Sequence, residues 1–172
     1  MRVYNARARG LGHALKSLMK DLLCVNGFKI ACVGTELRGD DEVGLRVCRE
    51  LARSGIDVVT CEYGLENCIG DLLALSPKSL LIVDAAKFSG EPGDVVVASI
   101  ESVASEYLVT THNVPVAVTI EYLRRAGVAR NALLLGIRVK SLEVGAGISD
   151  EVLRSAEVVV SAIREALKEC NP

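Results

Sequence analysis

Three consecutive acids, Asp40, Asp41 and Glu42, stand where a short apolar run gives way to a helical pattern. Acids at that place have a plain use. They complement the helix dipole and cap orphan N–H groups, each contributing roughly 0.3–1 kcal/mol. The same position also suits chemistry, because α/β proteins keep their sites over the carboxyl ends of their strands. Two further residues strengthen the second reading. Asp84 closes the most hydrophobic run of the chain, Ser79 to Ala86, where a charge must reach solvent or find a partner. His112 sits in the polar stretch Thr110-Thr111-His112-Asn113-Val114-Pro115, at a loop-to-helix junction. Two carboxylates and an imidazole, each at the end of a separate element, suit a divalent first-row metal better than calcium or a thiolate-loving ion. The plainer account is an Asp–His hydrogen-bonded pair without metal. Neither the dinucleotide fingerprint nor a phosphate-binding Gly-rich loop is present, and there is no G-x-S-x-G elbow. A cysteine nucleophile would have only His112 as a base, since His13 lies in an amphipathic segment and reads as structural.

The elements that must position these residues alternate. Apolar or β-branched runs at 29–34, 56–61, 79–86, 95–98 and 132–139 read as five strands. Helical spacing joins them: Val43, Val47 and Leu51; then Ile69, Leu72, Leu73 and Leu75; then Val118, Ile120 and Leu123 behind Pro115. Ser149 caps a last amphipathic helix carrying Val152, Val159, Ile163 and Leu167. No element is assigned around 102–107. Half of the residues are hydrophobic but only 3% are aromatic, so Val, Leu, Ala and Ile build the core, as in α/β layers with buried parallel strands.

A net charge of −2 gives no reason to expect nucleic acid as a partner, and no apolar run reaches the roughly 18–20 residues of a membrane span. The six cysteines show no C-x-x-C pair and no zinc spacing. They read as small apolar fillers in a reducing cytosol, with thermophile proteins the exception to that redox rule. Residues 1–27 stand apart. Leu11, Leu15, Leu18, Met19, Leu22 and Leu23 recur at helical spacing with charges between them, so the segment reads as an amphipathic helix rather than a secretory leader. It would pack on the domain or on a second subunit. The expected division is a helical extension over 1–27 and one α/β domain over 28–172.

Taken in order, these stretches carry a resemblance. Gly34-Thr-Glu-Leu-Arg-Gly-Asp-Asp-Glu-Val-Gly44 resembles the opening G-N-x-x-x-x-D-[DE]-x-x-G of the [NiFe]-hydrogenase maturation endopeptidases. Leu81-Ile-Val-Asp-Ala85 with Gly90-Glu-Pro-Gly93 resembles their second block, and Thr110 to Pro115 their histidine block. Glu66-Asn67 is similar to the P-E-N of the branch that processes hydrogenase 3-type large subunits, with Leu65 in place of Pro, and Leu135-Gly136-Ile137 matches a late strand. The likeness runs over about 28–168. It implies a three-layer fold, a twisted and mostly parallel sheet with helices on both faces. It also implies an activity, the removal of a C-terminal extension from a hydrogenase large-subunit precursor after nickel insertion, in the cytoplasm. The matching site residues are Asp41, Asp84 and His112, as nickel-engaging and catalytic groups, with Asp40, Glu66, Asn67 and Asn113 around them or on the substrate. The nickel belongs to the substrate, and no organic cofactor is implied. Whether the ion polarises the scissile carbonyl or only anchors the substrate stays open.

The departures from the pattern remove no implied ligand. Thr35 replaces an Asn, and Val139 stands where Pro is common. Three other functions use the same residues differently: a nickel-site checkpoint that does not cleave, a metal-dependent peptidase on other peptides, and an interaction protein indifferent to all three side chains. Asp41 is expected to be an exposed ligand. Asp40 is expected to support the helix start, so that its amide would cost only the charge–dipole term, roughly 0.3–1 kcal/mol.

Overall fold

A computed structural model describes residues 2–5, 10–103, 109–110 and 115–170, with the backbone alone at 109–110. In chain order the elements are β1 (Arg2–Tyr4), α1 (Leu11–Leu23), β2 (Phe28–Gly34), α2 (Val43–Arg53), β3 (Val58–Glu62), α3 (Ile69–Leu75) and β4 (Ser79–Lys87). Then follow β5 (Val95–Ser99), α4 (Ile100–Val103), β6 (Val109–Thr110), α5 (Val116–Arg125), β7 (Asn131–Arg138) and α6 (Asp150–Cys170). Short 3-10 turns at Gly39–Glu42 and Leu65–Cys68 precede α2 and α3.

Six strands lie in the order β1-β5-β7-β4-β2-β3, and β6 pairs with β4 beside that path. The four neighbouring strands β7, β4, β2 and β3 are parallel, as crossover helices require. The edge beyond β7 is antiparallel: β5 pairs with β7, and β1 with β5. Among the described residues the sheet is therefore mixed and has seven strands, two more than the five expected. The additions, β1 and β6, are three and two residues long, too short to show any alternation. The pairing of β1 also places part of the N-terminal segment in the sheet.

Helices cover both faces, so the three-layer architecture holds. β4 shows why its sequence is a continuous apolar run: its odd residues Leu81, Val83 and Ala85 join one core with α1, α2 and α6. Its even residues Leu80, Ile82 and Ala86 join a second core that includes Leu72 of α3 and Ile120 and Leu123 of α5. Both faces are packed, which is the condition for unbroken hydrophobicity in a parallel strand. The apolar face of α1, including Leu15 and Met19, is buried in the first core against α6. Of the two expectations for this helix, packing on the domain is the one the chain itself displays.

The cysteines are corrected as well. All six are paired, as Cys24–Cys170, Cys32–Cys48 and Cys61–Cys68. Each bond joins neighbouring elements, so the pairing left no local motif to read. Among the described residues, no helix is long and apolar enough to cross a membrane.

Candidate active site at the carboxyl edge of the sheet

The chain leaves β2 at Gly34 and returns through the turn Gly39–Glu42, and this return is sterically tight. A Cβ at Gly34 would stand 2.2 Å from the carbonyl oxygen of Asp41. The Thr35 N–H donates to that same oxygen at 3.2 Å. Gly39 takes φ +52°, with the Ser141 carbonyl oxygen 2.8 Å from where a Cβ would be. Gly44 is pressed hardest, 2.0 Å from the Val33 carbonyl oxygen and 2.8 Å from that of Val83. These glycines let the start of α2 sit directly on the ends of β2 and β4. Ala at Gly44 should therefore cost roughly 3 kcal/mol or more in denaturant unfolding, because backbone stands on both sides and cannot yield. Ala at Gly70, which has nothing within 4 Å, should cost nothing and serves as the control.

Asp41 and Asp84 both reach this edge, and both are only 1% exposed. Asp41 is thus a buried carboxylate, not the exposed one expected from a helix start. Asp84 lies on the even-numbered face of β4, in register with Gly136 of β7. The turn that carries Asp41 packs against both β2 and β4. A Cβ at Gly136 would stand 2.8 Å from the Cβ of Ala86 and 2.9 Å from Val96 Cγ1, so only glycine lets three strands close up beside Asp84.

β6 supplies the remaining geometry. β2 pairs with β4 as far as Cys32–Val83, and β7 accompanies β4 on its other side up to Ala86. β6 takes up the side that β2 leaves, running antiparallel with Thr110 opposite Ala86. Thr110 is thus paired two positions beyond Asp84, and His112 comes two positions later in sequence. His112 and Asn113 lie outside the described residues. Among the described residues no group of three His, Cys, Asp or Glu is arranged to hold a metal.

Asp40 does something the sequence did not suggest. It makes no side-chain cap at its own turn or at α2. Its Oδ2 accepts from the N–H groups of Lys140 (2.6 Å) and Ser141 (2.9 Å). Its Oδ1 accepts from the N–H (2.6 Å) and hydroxyl (2.8 Å) of Ser149. A fully buried carboxylate with four donors ties the Asp41 turn to the loop after β7 and to the start of α6. The segment it holds lies about a hundred residues away in sequence.

Glu66 and Asn67 lie in the turn Leu65–Cys68, whose last residue is joined to Cys61 of β3 by a disulfide. The Asn67 amide donates to the Glu62 carbonyl at 2.8 Å, holding its own loop. One oxygen of Glu66, Oε2, is buried without a hydrogen-bond partner. The Tyr63 N–H donates to the Gly34 carbonyl at 2.9 Å, so the exits of β3 and β2 move as one. Thr35 keeps a small role for the Asn it replaces: its hydroxyl accepts from the Leu37 N–H at 3.3 Å. Val139 donates its N–H to the Ala86 carbonyl at 3.1 Å, a bond that Pro could not make. Arg138 was not singled out by the sequence, yet its Nε donates to the Phe88 carbonyl at 2.7 Å and steadies the exit of β4.

A family model described as HycI, hydrogenase maturation protease, matches residues 63–167. The chain belongs to the hydrogenase maturation protease family. The maturation protease of hydrogenase 3 from Escherichia coli K12 is 31% identical over 98 residues, which are 55% of this chain and 63% of that protein. The crystal structure of the [NiFe]-hydrogenase maturation protease HycI from Thermococcus kodakarensis superimposes with a TM-score of 0.76 at 25% identity, covering 88% of this chain and 99% of the other. The solution structure of the endopeptidase HycI from Escherichia coli gives 0.68 at 26% identity, covering 78% and 87%. This maturation protease is therefore a hydrolase of the α/β type expected. Its family match begins after the Gly34–Gly44 stretch, whereas the structural likeness covers nearly the whole fold.

Proposed function

We propose that this protease removes the C-terminal extension of a [NiFe]-hydrogenase large-subunit precursor after nickel has been inserted. Asp41, Asp84 and His112 engage the nickel that the precursor brings. The observation that supports this reading is the burial of both aspartates at one edge of the sheet, where β6 pairs with β4 two residues before His112 in sequence. Two carboxylate oxygens and an imidazole nitrogen fit a divalent first-row ion. Every cysteine is in a disulfide, so no thiolate competes for it. The ion locates the substrate, and water attacks the scissile carbonyl carbon. The C–N bond breaks and the leaving amine takes up a proton, with a carboxylate at the edge as the base that receives the proton from water. Glu66, with its unpartnered oxygen, and Asn67 and Asn113 face or support the precursor's tail. The reaction belongs to the cytoplasm, and disulfides are no obstacle there in organisms whose intracellular proteins are rich in them.

The test is incubation with nickel-loaded and nickel-free precursor, following the tail by mass spectrometry. Loss of the tail only from the loaded form supports the reading. Binding without cleavage would make the protein a checkpoint, and cleavage of unrelated free peptides would make it a general metallopeptidase. Because the ion comes with the substrate, prolonged chelation of the protease alone should leave its thermal midpoint unchanged; a large fall would reveal a structural ion instead.

A further inference from the structure

Two loops at the carboxyl edge hold large apolar side chains out in water. Leu37, between β2 and the Asp41 turn, is 57% exposed, and Val144, between β7 and α6, is 77% exposed. Single exposed hydrophobics are ordinary on a protein surface and by themselves call for no partner. What sets this pair apart is how firmly the backbone beneath it is held.

Val144 stands second in a turn that the Ala146 N–H closes on the Glu143 carbonyl at 3.2 Å. Gly145, third in that turn, has φ +79°, the value a type II turn needs there. Turn positions are dominated by Gly, Pro, Asn, Asp and Ser, so a β-branched apolar residue at this one gains nothing for the fold. Leu142 and Ile148, on either side, pack against the first core and anchor the loop inward. Asp40 grips both ends of the loop. The Gly145 N–H donates to the Leu37 carbonyl, and the Asp40 N–H to that of Ser141, both at 3.0 Å, so the two loops form one unit. Such a platform has given up its conformational freedom before any partner arrives, which lowers the cost of docking.

Charge and shape narrow the partner. Glu36 pairs with Arg49, and Lys140 pairs with Glu151. Arg38 and Glu143, one beside each apolar side chain, are of opposite sign. The two loops therefore offer no net charge by which to select an ion or a charged surface. Side chains this exposed are convex knobs, and a knob needs a hollow on a folded surface. An extended peptide would need a groove or an open strand edge instead.

We propose that Leu37 and Val144 are docking knobs for an apolar hollow on the folded body of the hydrogenase large-subunit precursor. This rests on the processing function proposed above, and adds where the body of the substrate, as distinct from its tail, is held. The Leu37 loop runs directly into the Asp41 turn, so a body seated on the knobs lies beside the candidate site.

Val144→Asn and Leu37→Asn test this, since they remove the apolar contact without adding charge near a cation site, and Asn suits a turn. Each is read for KM and kcat on a nickel-loaded large-subunit precursor, and for Kd on the same subunit with its tail already removed. KM should rise about tenfold or more in each variant with kcat kept, and Kd for the tail-free subunit should weaken equally. Val144→Ile should keep the parent KM, and so should Leu75→Asn, at an exposed position on the end of α3. All should melt with the parent, because the altered side chains lie largely in water. Parent-like KM and Kd in both Asn variants at the knobs would overturn the docking surface and leave the proteolytic reading intact. So would an effect that vanishes with the tail, which would put the peptide and not the body on the knobs. A parent that binds the subunit without cleaving it sinks the proteolytic reading alone, and the Kd values then decide the docking. A parent that neither binds nor cleaves sinks both.

Discussion

Asp41→Asn is expected to lower processing of a nickel-loaded precursor by at least about 100-fold, more than loss of a residue that only orients a metal ligand. The substitution keeps the shape of the side chain and removes its charge and one anionic oxygen. The backbone of the turn is held by contacts that do not involve the carboxylate: the Thr35 N–H on the Asp41 carbonyl and the Asp41 N–H on that of Arg38. The variant should therefore fold, and assays run below its own melting temperature isolate the loss of chemistry from any loss of stability. Asp84→Asn should do the same from the other strand. Because both side chains are buried at this edge, neither can be replaced by a neighbouring surface acid. Normal cleavage by Asp41→Asn would remove it from the site and leave the family likeness without its first ligand. Processing assays by mass spectrometry, with calorimetry on the same samples, separate chemistry from folding.

Asp40→Asn should show the reverse pattern, and with a larger stability effect than the sequence suggested. A helix-start acid would lose only its interaction with the dipole. The carboxylate seen here accepts from four donors through two oxygens. An amide offers one oxygen and turns an NH2 group toward two of those donors, leaving them buried and facing another donor. A cost of about 2–4 kcal/mol is expected. In a chain of this size that lowers the melting temperature by roughly 5–15 °C. Activity at a temperature where the variant is fully folded should fall less than for Asp41→Asn. If Asp40→Asn melts like the parent, the clamp on residues 140–149 contributes little to stability.

The contrast between these neighbours shows what the sequence could and could not tell. The five longer strands and their helices were legible because burial on both faces leaves a continuous apolar signature, most clearly in β4. Asp84 drew notice as a carboxylate at the end of such a run and Asp41 as one at a helix start, and the structure buries both at the carboxyl edge. The role of Asp40 was not legible, since its partners are mostly main-chain groups about a hundred residues on, and nothing in the local sequence announces them. β1 and β6 escaped for a different reason: two or three residues carry no period. The disulfides escaped because their spacings of 7, 16 and 146 match no recognised cysteine motif. The burial of Asp41 follows from Gly34 and Gly44, whose spacing is plain in the sequence while the close approaches it permits are not.

The Cys24–Cys170 bond has a topological consequence. With a sequence separation of 146 between its ends, it makes almost the whole chain a covalent ring, fastened where α1 lies along α6 and Lys16 and Lys20 meet Glu169. A single cut in any loop from 25 to 169 opens this ring without releasing a piece, so a nicked molecule would stay intact on a non-reducing gel. Closure also has a place in time. Cys170 leaves the ribosome after everything the ring encloses, so the bond cannot guide the early folding of the sheet. It locks a protein whose β-strands have already been made, and its entropic benefit, about 4–5 kcal/mol in the chain-closure account, resists unfolding of the finished molecule.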